Sequence, residues 1–146
     1  AIVNRAMFVT VLWRLEGSPI VADSPIDFYD VPDNEWYTVA VNWATTIGIV
    51  KGYGDGLFGP MDDLTHEQIM AILNRYAVYK KWSENVIGNA DDFYTNSEWA
   101  ENNVFWADIN GMFDGIGSDI SDLTEGADRA ELAAYLSRFC ARFMTE

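Results

Sequence analysis

Residues 52–59, with the sequence GYGDGLFG, have a glycine spacing that could in principle hold a phosphate. Gly54, Gly56 and Gly59 match the G-x-G-x-x-G pattern of dinucleotide-binding proteins, which needs a buried strand before the glycines and a helix directly after them. Here an apolar pattern with helical spacing comes before the glycines, and Pro60 with an acidic segment follows them. The aspartates also miss the spacing of a calcium-binding loop. We therefore predict a connector between helices, with neither a cofactor nor a metal ion bound to it.

Three residues at the predicted starts of helices could bind an anion. Arg5 in NRAM, His66 in THEQ and Arg129 in DRAE occupy the same register of three related segments. A guanidinium at the first helical residue adds its planar charge to the positive end of the helix dipole and to unpaired N–H groups, which together favour a carboxylate or a phosphate. A histidine is mostly neutral at pH 7 and lacks that planar fork. From these residues alone, both arginines are expected to be solvated or to pair with a neighbouring acid. The prediction that Arg5 and Arg129 bind a ligand, and that the His66 site is impaired or empty, depends in addition on the family resemblance of these segments.

An internal repeat explains the glycines and places the three helix starts. A fixed offset along the chain superposes the following pairs: Trp36 and Trp99, Trp43 and Trp106, Gly52 and Gly115, Gly54 and Gly117. The segment NRAMFVTVLWRL is a further copy of the second half of this pattern. We divide the chain into the second half of a first repeat at 1–24, a second repeat at 25–87 and a third, divergent repeat at 88–146. Repetition of this kind predicts similar units that share one core.

Each repeat ends in a segment with the apolar spacing of an amphipathic helix, i, i+3, i+4, i+7. The apolar positions are Phe8, Val11, Leu12 and Leu15, then Ile69, Ile72, Leu73 and Tyr76, then Leu132, Tyr135, Leu136 and Phe139. The starts of the last two helices have the residue pairs of a capping box, Thr65 with Gln68 and Asp128 with Glu131. Earlier helices at 36–47 and 99–110 should end at Gly48 and Gly111. The pattern predicts an all-α fold of tandem helix-loop-helix units around a three-helix bundle.

Charge and composition disfavour several classes of function. The net charge is −14, which repels phosphate backbones and argues against a nucleic-acid partner. No apolar run is long enough to span a membrane, and the first residues lack the order of a signal peptide. Cys140 is the single cysteine, so it cannot form a disulfide framework or a metal cluster. No pair of carboxylates is fixed at the separation that glycoside hydrolysis needs, and we therefore do not expect an enzyme.

The residues FYDVPDNEWYTVAVNWATTIGIVKGYGDGLFGPMDDLTHEQIMAILNRYA carry a set of motifs in order. They include an aromatic-Asp-Val opening, a Trp-Tyr pair, Gly-Asp-Gly-x-Phe-x-Pro and a Leu-Thr-x-Glu helix start. This sequence resembles the S-layer homology repeat, and the resemblance extends over practically all of residues 1–143. The third repeat is the most divergent, because it lacks the Asp-Val-Pro opening and the end of the glycine loop.

The resemblance implies a non-catalytic anchor of the bacterial envelope, located outside the cell in the cell wall or the S-layer. In this family three repeats form a pseudo-threefold helical assembly, and grooves between neighbouring repeats hold secondary cell-wall polysaccharide that commonly bears pyruvylated amino sugars. The Thr-Arg-Ala-Glu motif of the family supplies an arginine for the acidic sugar, which corresponds to Arg5 and Arg129 here and is replaced by His66 in the middle copy. The remaining candidates for ligand binding are loop residues: Gly52, Tyr53, Gly54, Gly115 and Gly117.

Departures from the family pattern keep a second function open. Asn4 and Asp128 stand where the family has threonine, so the chain could instead be a structural module for self-assembly or protein contact without glycan binding. Because the first repeat begins at its second helix, we expect this chain to leave the flank beside Phe8 and Val9 uncovered. Either the chain is a shortened form, or a second chain covers this surface. The tryptophans Trp43 and Trp106 are expected to pack in the core.

Overall fold

The computed structural model describes residues 1–21, 27–88, 98–114 and 122–144. Five helices form in these residues: α1 (Arg5–Leu15), α2 (Thr38–Ile47), α3 (His66–Tyr79), α4 (Glu98–Ile109) and α5 (Arg129–Phe143). Within the same residues the extended backbone is limited to isolated antiparallel bridges, which confirms the prediction of an all-α fold. The three-helix bundle, the pseudo-threefold arrangement and the repeat boundaries stay predictions.

The chain divides into two compact units. The N-terminal unit is Val3–Asp63, and the C-terminal unit is Ala1–Ile2 together with Leu64–Glu146. Within the N-terminal unit α1 packs against α2, and within the C-terminal unit α3 packs against α4.

The N-terminal unit is built on the apolar face of α1. Phe8 and Val9 have no exposed surface at all. The expectation that the flank beside these two residues is bare is therefore wrong, because the rest of the chain already covers it. Trp43 on α2 is 3% exposed, which confirms its place in the core. The helix α2 ends at Gly48, whose φ of 85° is the left-handed conformation that a C-cap glycine provides.

The C-terminal unit has a core rich in aromatic rings. Trp106 on α4 is fully buried, and its indole N–H donates to Ser83 Oγ at 2.9 Å while its ring stacks on Phe143. Tyr76 of α3 and Phe139 of α5 stack with ring centroids 5.9 Å apart. The burial of Trp106 confirms the prediction that it packs in the core. Its one polar atom finds a hydrogen-bond partner inside the unit, as a buried tryptophan requires.

The starts of the amphipathic helices follow their capping residues. Thr65 with Gln68 forms a complete capping box at α3, and Asp128 with Glu131 forms one at α5. Asn4 caps α1 by accepting from Met7 N at 2.8 Å. These caps fix Arg5, His66 and Arg129 as the first residues of α1, α3 and α5, as the sequence predicts.

Candidate functional site

The side chain of Arg5 extends from the start of α1 into the glycine loop. Its Nε donates to the carbonyl oxygen of Phe58 at 3.0 Å, and its Nη2 donates to that of Lys51 at 2.7 Å. The guanidinium lies 4.5 Å from the ring centroid of Phe58 and 5.0 Å from that of Tyr53. Arg5 is only 8% exposed, so most of this charge is held inside the N-terminal unit by carbonyls and aromatic faces.

The backbone at the start of α1 is also occupied by the same loop. Arg5 N donates to the carbonyl of Asp62 at 3.0 Å, and Ala6 N donates to that of Pro60 at 2.8 Å. The expectation of unpaired N–H groups beside Arg5 is therefore wrong, because the residues that follow the glycines have already satisfied these donors. An anion at this site would have to contact side chains rather than the helix terminus.

Burial and neighbouring charges act in opposite directions on Arg5. Desolvation lowers the pKa of the guanidinium, while electrostatic interaction with the Asp62 and Asp30 carboxylates opposes this shift. An arginine stays protonated in proteins under these conditions. Arg5 is therefore a fixed positive charge in a poorly solvated position with two carboxylates nearby. This arrangement is typical of an arginine that stabilises the fold as well as of one that binds an anion.

Tyr53 forms the outer side of this cluster. Its ring is 51% exposed, and its hydroxyl donates to Asp62 Oδ2 at 2.6 Å. Burial of the hydroxyl and its bond to Asp62 raise the pKa of Tyr53, so it stays protonated and keeps this bond. The tyrosine thus offers an aromatic face beside Arg5 to solvent, while its place in a groove stays a prediction.

Two of the loop glycines lie where a side chain would clash with a neighbouring ring or carboxylate. A Cβ on Gly59, which has a φ of 74°, would run into the Tyr53 hydroxyl and the Asp62 carboxylate. A Cβ on Gly52 would run into the ring of Phe28, whereas Gly54, with a φ of 88°, has open space around it. The N–H groups of Phe58 and Gly59 donate to the two carboxylate oxygens of Asp30, each at 2.8 Å. Because these donors are already used, the loop is a connector, as the sequence predicts.

His66 is the buried counterpart of Arg5 in the C-terminal unit. It is 3% exposed, its Nδ1 lies 2.8 Å from the Tyr135 hydroxyl, and its Nε2 lies 3.6 Å from Glu131 Oε2. Burial lowers the pKa of His66, against the pull of Glu131 and the other nearby carboxylates, and burial also raises the pKa of Tyr135 above its usual value. Because the Glu131 carboxylate accepts hydrogen bonds and does not donate them, it favours the imidazole tautomer with the proton on Nε2. Nδ1 then accepts from the Tyr135 hydroxyl. Both ring nitrogens face groups of the unit itself.

Arg129 differs from both of these residues because it is exposed. It follows the capping box of Asp128 and Glu131 at the first position of α5. Among the residues that the structure describes, none bonds to its guanidinium. Gly115 and Gly117, the loop glycines predicted for this region, lie outside the described residues. The structure therefore brings Arg5, Tyr53, Gly52 and Gly54 into one unit and leaves Arg129 as a separate open cation.

Residues 27–70 match the family model of the S-layer homology domain. The chain belongs to the S-layer homology family. It is 31% identical over 137 residues to the exoglucanase XynX of Acetivibrio thermocellus and 32% identical over 137 residues to an amylopullulanase of Thermoanaerobacterium thermosulfurigenes, with 92% of the chain covered in both cases. It is 30% identical over 96 residues, or 62% of the chain, to a cell surface protein of Thermoanaerobacter kivui. The chain spans only 12%, 7% and 13% of the lengths of these three relatives.

As an S-layer homology domain, the chain is a cell-wall anchoring module that lies outside the cell, in the cell wall or the S-layer. No helix in the described part of the chain combines the length and the apolar character that crossing a bilayer requires. The described residues likewise contain no group of three or more His, Cys, Asp or Glu side chains placed to hold a metal ion.

Asp30 binds the loop beside Arg5, although the sequence patterns did not single it out. It is the aspartate of the aromatic-Asp-Val opening, where the pattern marked a family motif without a role. Asp62 belongs to the acidic segment after the glycines, for which the sequence indicates no partner, yet it accepts a hydrogen bond from the Tyr53 hydroxyl. In both cases the signal was an aspartate in or beside a turn. Such an aspartate forms local hydrogen bonds to the backbone so often that its presence does not indicate a partner elsewhere in the chain.

Proposed function

We propose that the chain holds a larger bacterial surface protein to the cell wall by binding acidic secondary cell-wall polysaccharide, and that it does so without catalysis. The observation that carries this proposal is the exposed guanidinium of Arg129 at the start of α5, without a bond to any described residue. In a chain of net charge −14, an acidic polymer can be attracted only where a positive group is locally dominant. The start of a helix adds its own positive potential at that place.

The ligand group we propose for Arg129 is the carboxylate of an acidic sugar, such as a pyruvylated amino sugar. A planar guanidinium can donate two parallel hydrogen bonds to a carboxylate, which a lysine or a neutral histidine cannot do. Gly115 and Gly117 are proposed to line the same groove. Because a wall polymer repeats its sugars, weak sites on one chain combine through a high effective concentration.

We propose a second, differently built site around Arg5. There the Tyr53 ring gives the sugar an aromatic face, Gly52 and Gly54 let the loop backbone approach it, and the buried Arg5 contributes through the donors that its two carbonyl bonds leave over. The corresponding place at His66 is proposed to be empty, since the imidazole is buried with neighbours on both nitrogens.

Two relatives have enzyme names, exoglucanase and amylopullulanase, but the chain spans only 12% and 7% of those proteins. Their named activities are not assigned to this chain. The competing proposal is a structural module for self-assembly or protein contact, which the burial of Arg5 and His66 favours. Binding of a second chain belongs only to this structural proposal. Phe8 and Val9 are already buried, so they leave no uncovered flank that a second chain must cover.

The test is cosedimentation of the chain with purified bacterial cell walls before and after removal of their acidic polysaccharide. We expect binding that is lost on extraction. Arg129→Gln should weaken it about 10- to 100-fold, which corresponds to a charge-assisted contact of about 1.5–3 kcal/mol. Arg14→Gln is the matched control, because it removes the same charge from another exposed helical arginine. Wild-type chain that stays in the supernatant, or equal binding of the two variants, would reject the anchor and favour the structural module.

A further inference from the structure

The peptide group between Phe58 and Gly59 is bonded at both ends by charged side chains. Its N–H donates to Asp30 Oδ2 at 2.8 Å, and its C=O accepts from Arg5 Nε at 3.0 Å. The second oxygen of Asp30 accepts from Phe58 N, also at 2.8 Å. No cis peptide occurs in the described residues, so the N–H and C=O of this group point in opposite directions, and Asp30 and Arg5 lie on opposite sides of it.

We infer that Asp30 is a positioning residue of the polysaccharide site at α1, which fixes the guanidinium of Arg5 through the Phe58–Gly59 peptide. This inference rests on the proposed function. Successive backbone N–H groups form a concavity that binds anions, and here the anion is the carboxylate of Asp30. A peptide that donates to an anion and accepts from a cation is polarised at both ends, and hydrogen bonds in such a chain strengthen one another. Asp30 thereby acts on Arg5 without touching it.

The same arrangement places Tyr53, the exposed member of the site. Gly59 packs directly against the Tyr53 ring and hydroxyl, at a φ of 74° that glycine tolerates best. Asp30 holds the N–H of that glycine, and Arg5 lies under the Tyr53 ring at 5.0 Å from its centroid. Loss of the Asp30 carboxylate should therefore release the guanidinium from one side and the tyrosine from the other.

A simpler role for Asp30 is to cap the loop and stabilise the fold, with no effect on the ligand that passes through Arg5. The two roles differ in how Asp30 and Arg5 combine. If Asp30 acts through Arg5, removal of either side chain destroys the same arrangement, and a double variant loses no more binding than the worse single variant. If the two side chains act independently, their effects multiply.

The experiment uses cosedimentation of the chain with purified cell walls that carry their acidic polysaccharide. The variants are Asp30→Asn, Arg5→Gln and the double variant. Asp27→Asn is the control, because it removes the same charge from an exposed side chain three positions earlier. In parallel, the proton resonance of Arg5 Nε–H is recorded by NMR below the melting temperature, where each variant is folded. This resonance reports the bond to the Phe58 carbonyl and would not move if Asp30 were only a distant structural residue.

We expect Asp30→Asn to weaken binding at least fivefold, the double variant to match the worse single variant, and Asp27→Asn to bind like the wild type. The Arg5 Nε–H resonance should shift upfield in Asp30→Asn, because the carbonyl that accepts it is less polarised. Binding of Asp30→Asn equal to that of Asp27→Asn, multiplied effects in the double variant, or an unmoved Nε–H resonance would each overturn the inference alone. A wild-type chain that does not bind walls would instead refute the proposed function, and the inference with it.

Discussion

Replacement of Arg5 by leucine should destabilise the N-terminal unit far more than the same replacement of Arg14. The Arg5 guanidinium donates to two loop carbonyls and lies against two aromatic rings, whereas Arg14 is an exposed residue in the last turn of the same helix. Leucine fills part of the space but donates no hydrogen bond. The carbonyls of Phe58 and Lys51 are then left without these partners at a buried position, which costs more than the bonds themselves contribute in water.

The magnitude follows from four terms. Two hydrogen bonds to a charged donor contribute about 3–6 kcal/mol together, and the contact with the two rings adds about 0.5–2 kcal/mol. Against these stand the burial of the charge, whose direction is visible in the lowered pKa of Arg5, and the roughly 1.5 kcal/mol that a buried leucine regains by leaving water. We expect a net loss of about 2–4 kcal/mol in the free energy of unfolding, within the range that breaking a buried network produces.

The assay is urea unfolding followed through the amide hydrogen exchange of α1 and α2, because these helices belong to the unit that contains Arg5. Arg14→Leu should lie within about 0.5 kcal/mol of the wild type, as expected for a surface position. If the free energies of unfolding of Arg5→Leu and Arg14→Leu differ by less than about 1 kcal/mol, the hydrogen bonds from Arg5 do not hold the glycine loop to α1. That result would refute the reasoning about this site.

Three further predictions test other parts of the structure. Because burial lowers the pKa of His66, the unfolded chain binds more protons than the folded chain just below pH 6.5, and the urea midpoint of the C-terminal unit should be lower at pH 5.5 than at pH 7.5. His66→Gln should remove this pH dependence, and a wild type that is equally stable at both pH values would contradict the prediction. Gly59→Ala should lower the melting temperature more than Gly54→Ala, because both have positive φ but only Gly59 lacks room for a Cβ; equal losses would show that the crowding is absent. Trp43→Ala should cost about 3–5 kcal/mol and Trp36→Ala, at a 55% exposed side chain, much less; comparable costs would contradict the burial of Trp43.

Local chemistry explains which parts of the fold the sequence predicts. Capping boxes and apolar stripes involve residues within a few positions of one another, so the starts of α3 and α5 and the burial of Trp43 and Trp106 follow from the sequence alone. The burial of Arg5 does not, because its two carbonyl partners come from a loop on the far side of α2 in the chain. Nothing local distinguishes an arginine that reaches solvent from one that reaches a carbonyl 53 positions away.

The side chain of His66 gives a second example of the same limit. The sequence predicts that it is a poor anion ligand, because a histidine of ordinary pKa is mostly neutral and lacks the planar fork of arginine, and this stays a prediction. Its partner Tyr135 belongs to the apolar stripe of α5, and the pattern assigns such a residue only to packing. A tyrosine in a core also has a hydroxyl that needs a partner, and here the imidazole supplies it at 2.8 Å. The apolar periodicity of α5 therefore predicts that the Tyr135 ring is buried, but it does not predict the partner of the Tyr135 hydroxyl.

Equal register in a repeat therefore does not imply equal function. Arg5, His66 and Arg129 open three related helices, yet the first is tied into a loop, the second is enclosed with a tyrosine and a glutamate, and the third is exposed. At α1 and α3 the first two backbone N–H groups donate to carbonyls of a loop that follows later in the chain. The acceptors are Asp62 and Pro60 for α1, and Glu125 and Leu123 for α3. In the described residues no carbonyl takes that place at α5. In the described residues, the presence of a covering loop, rather than the repeat position or the residue type, distinguishes the buried Arg5 from the exposed Arg129.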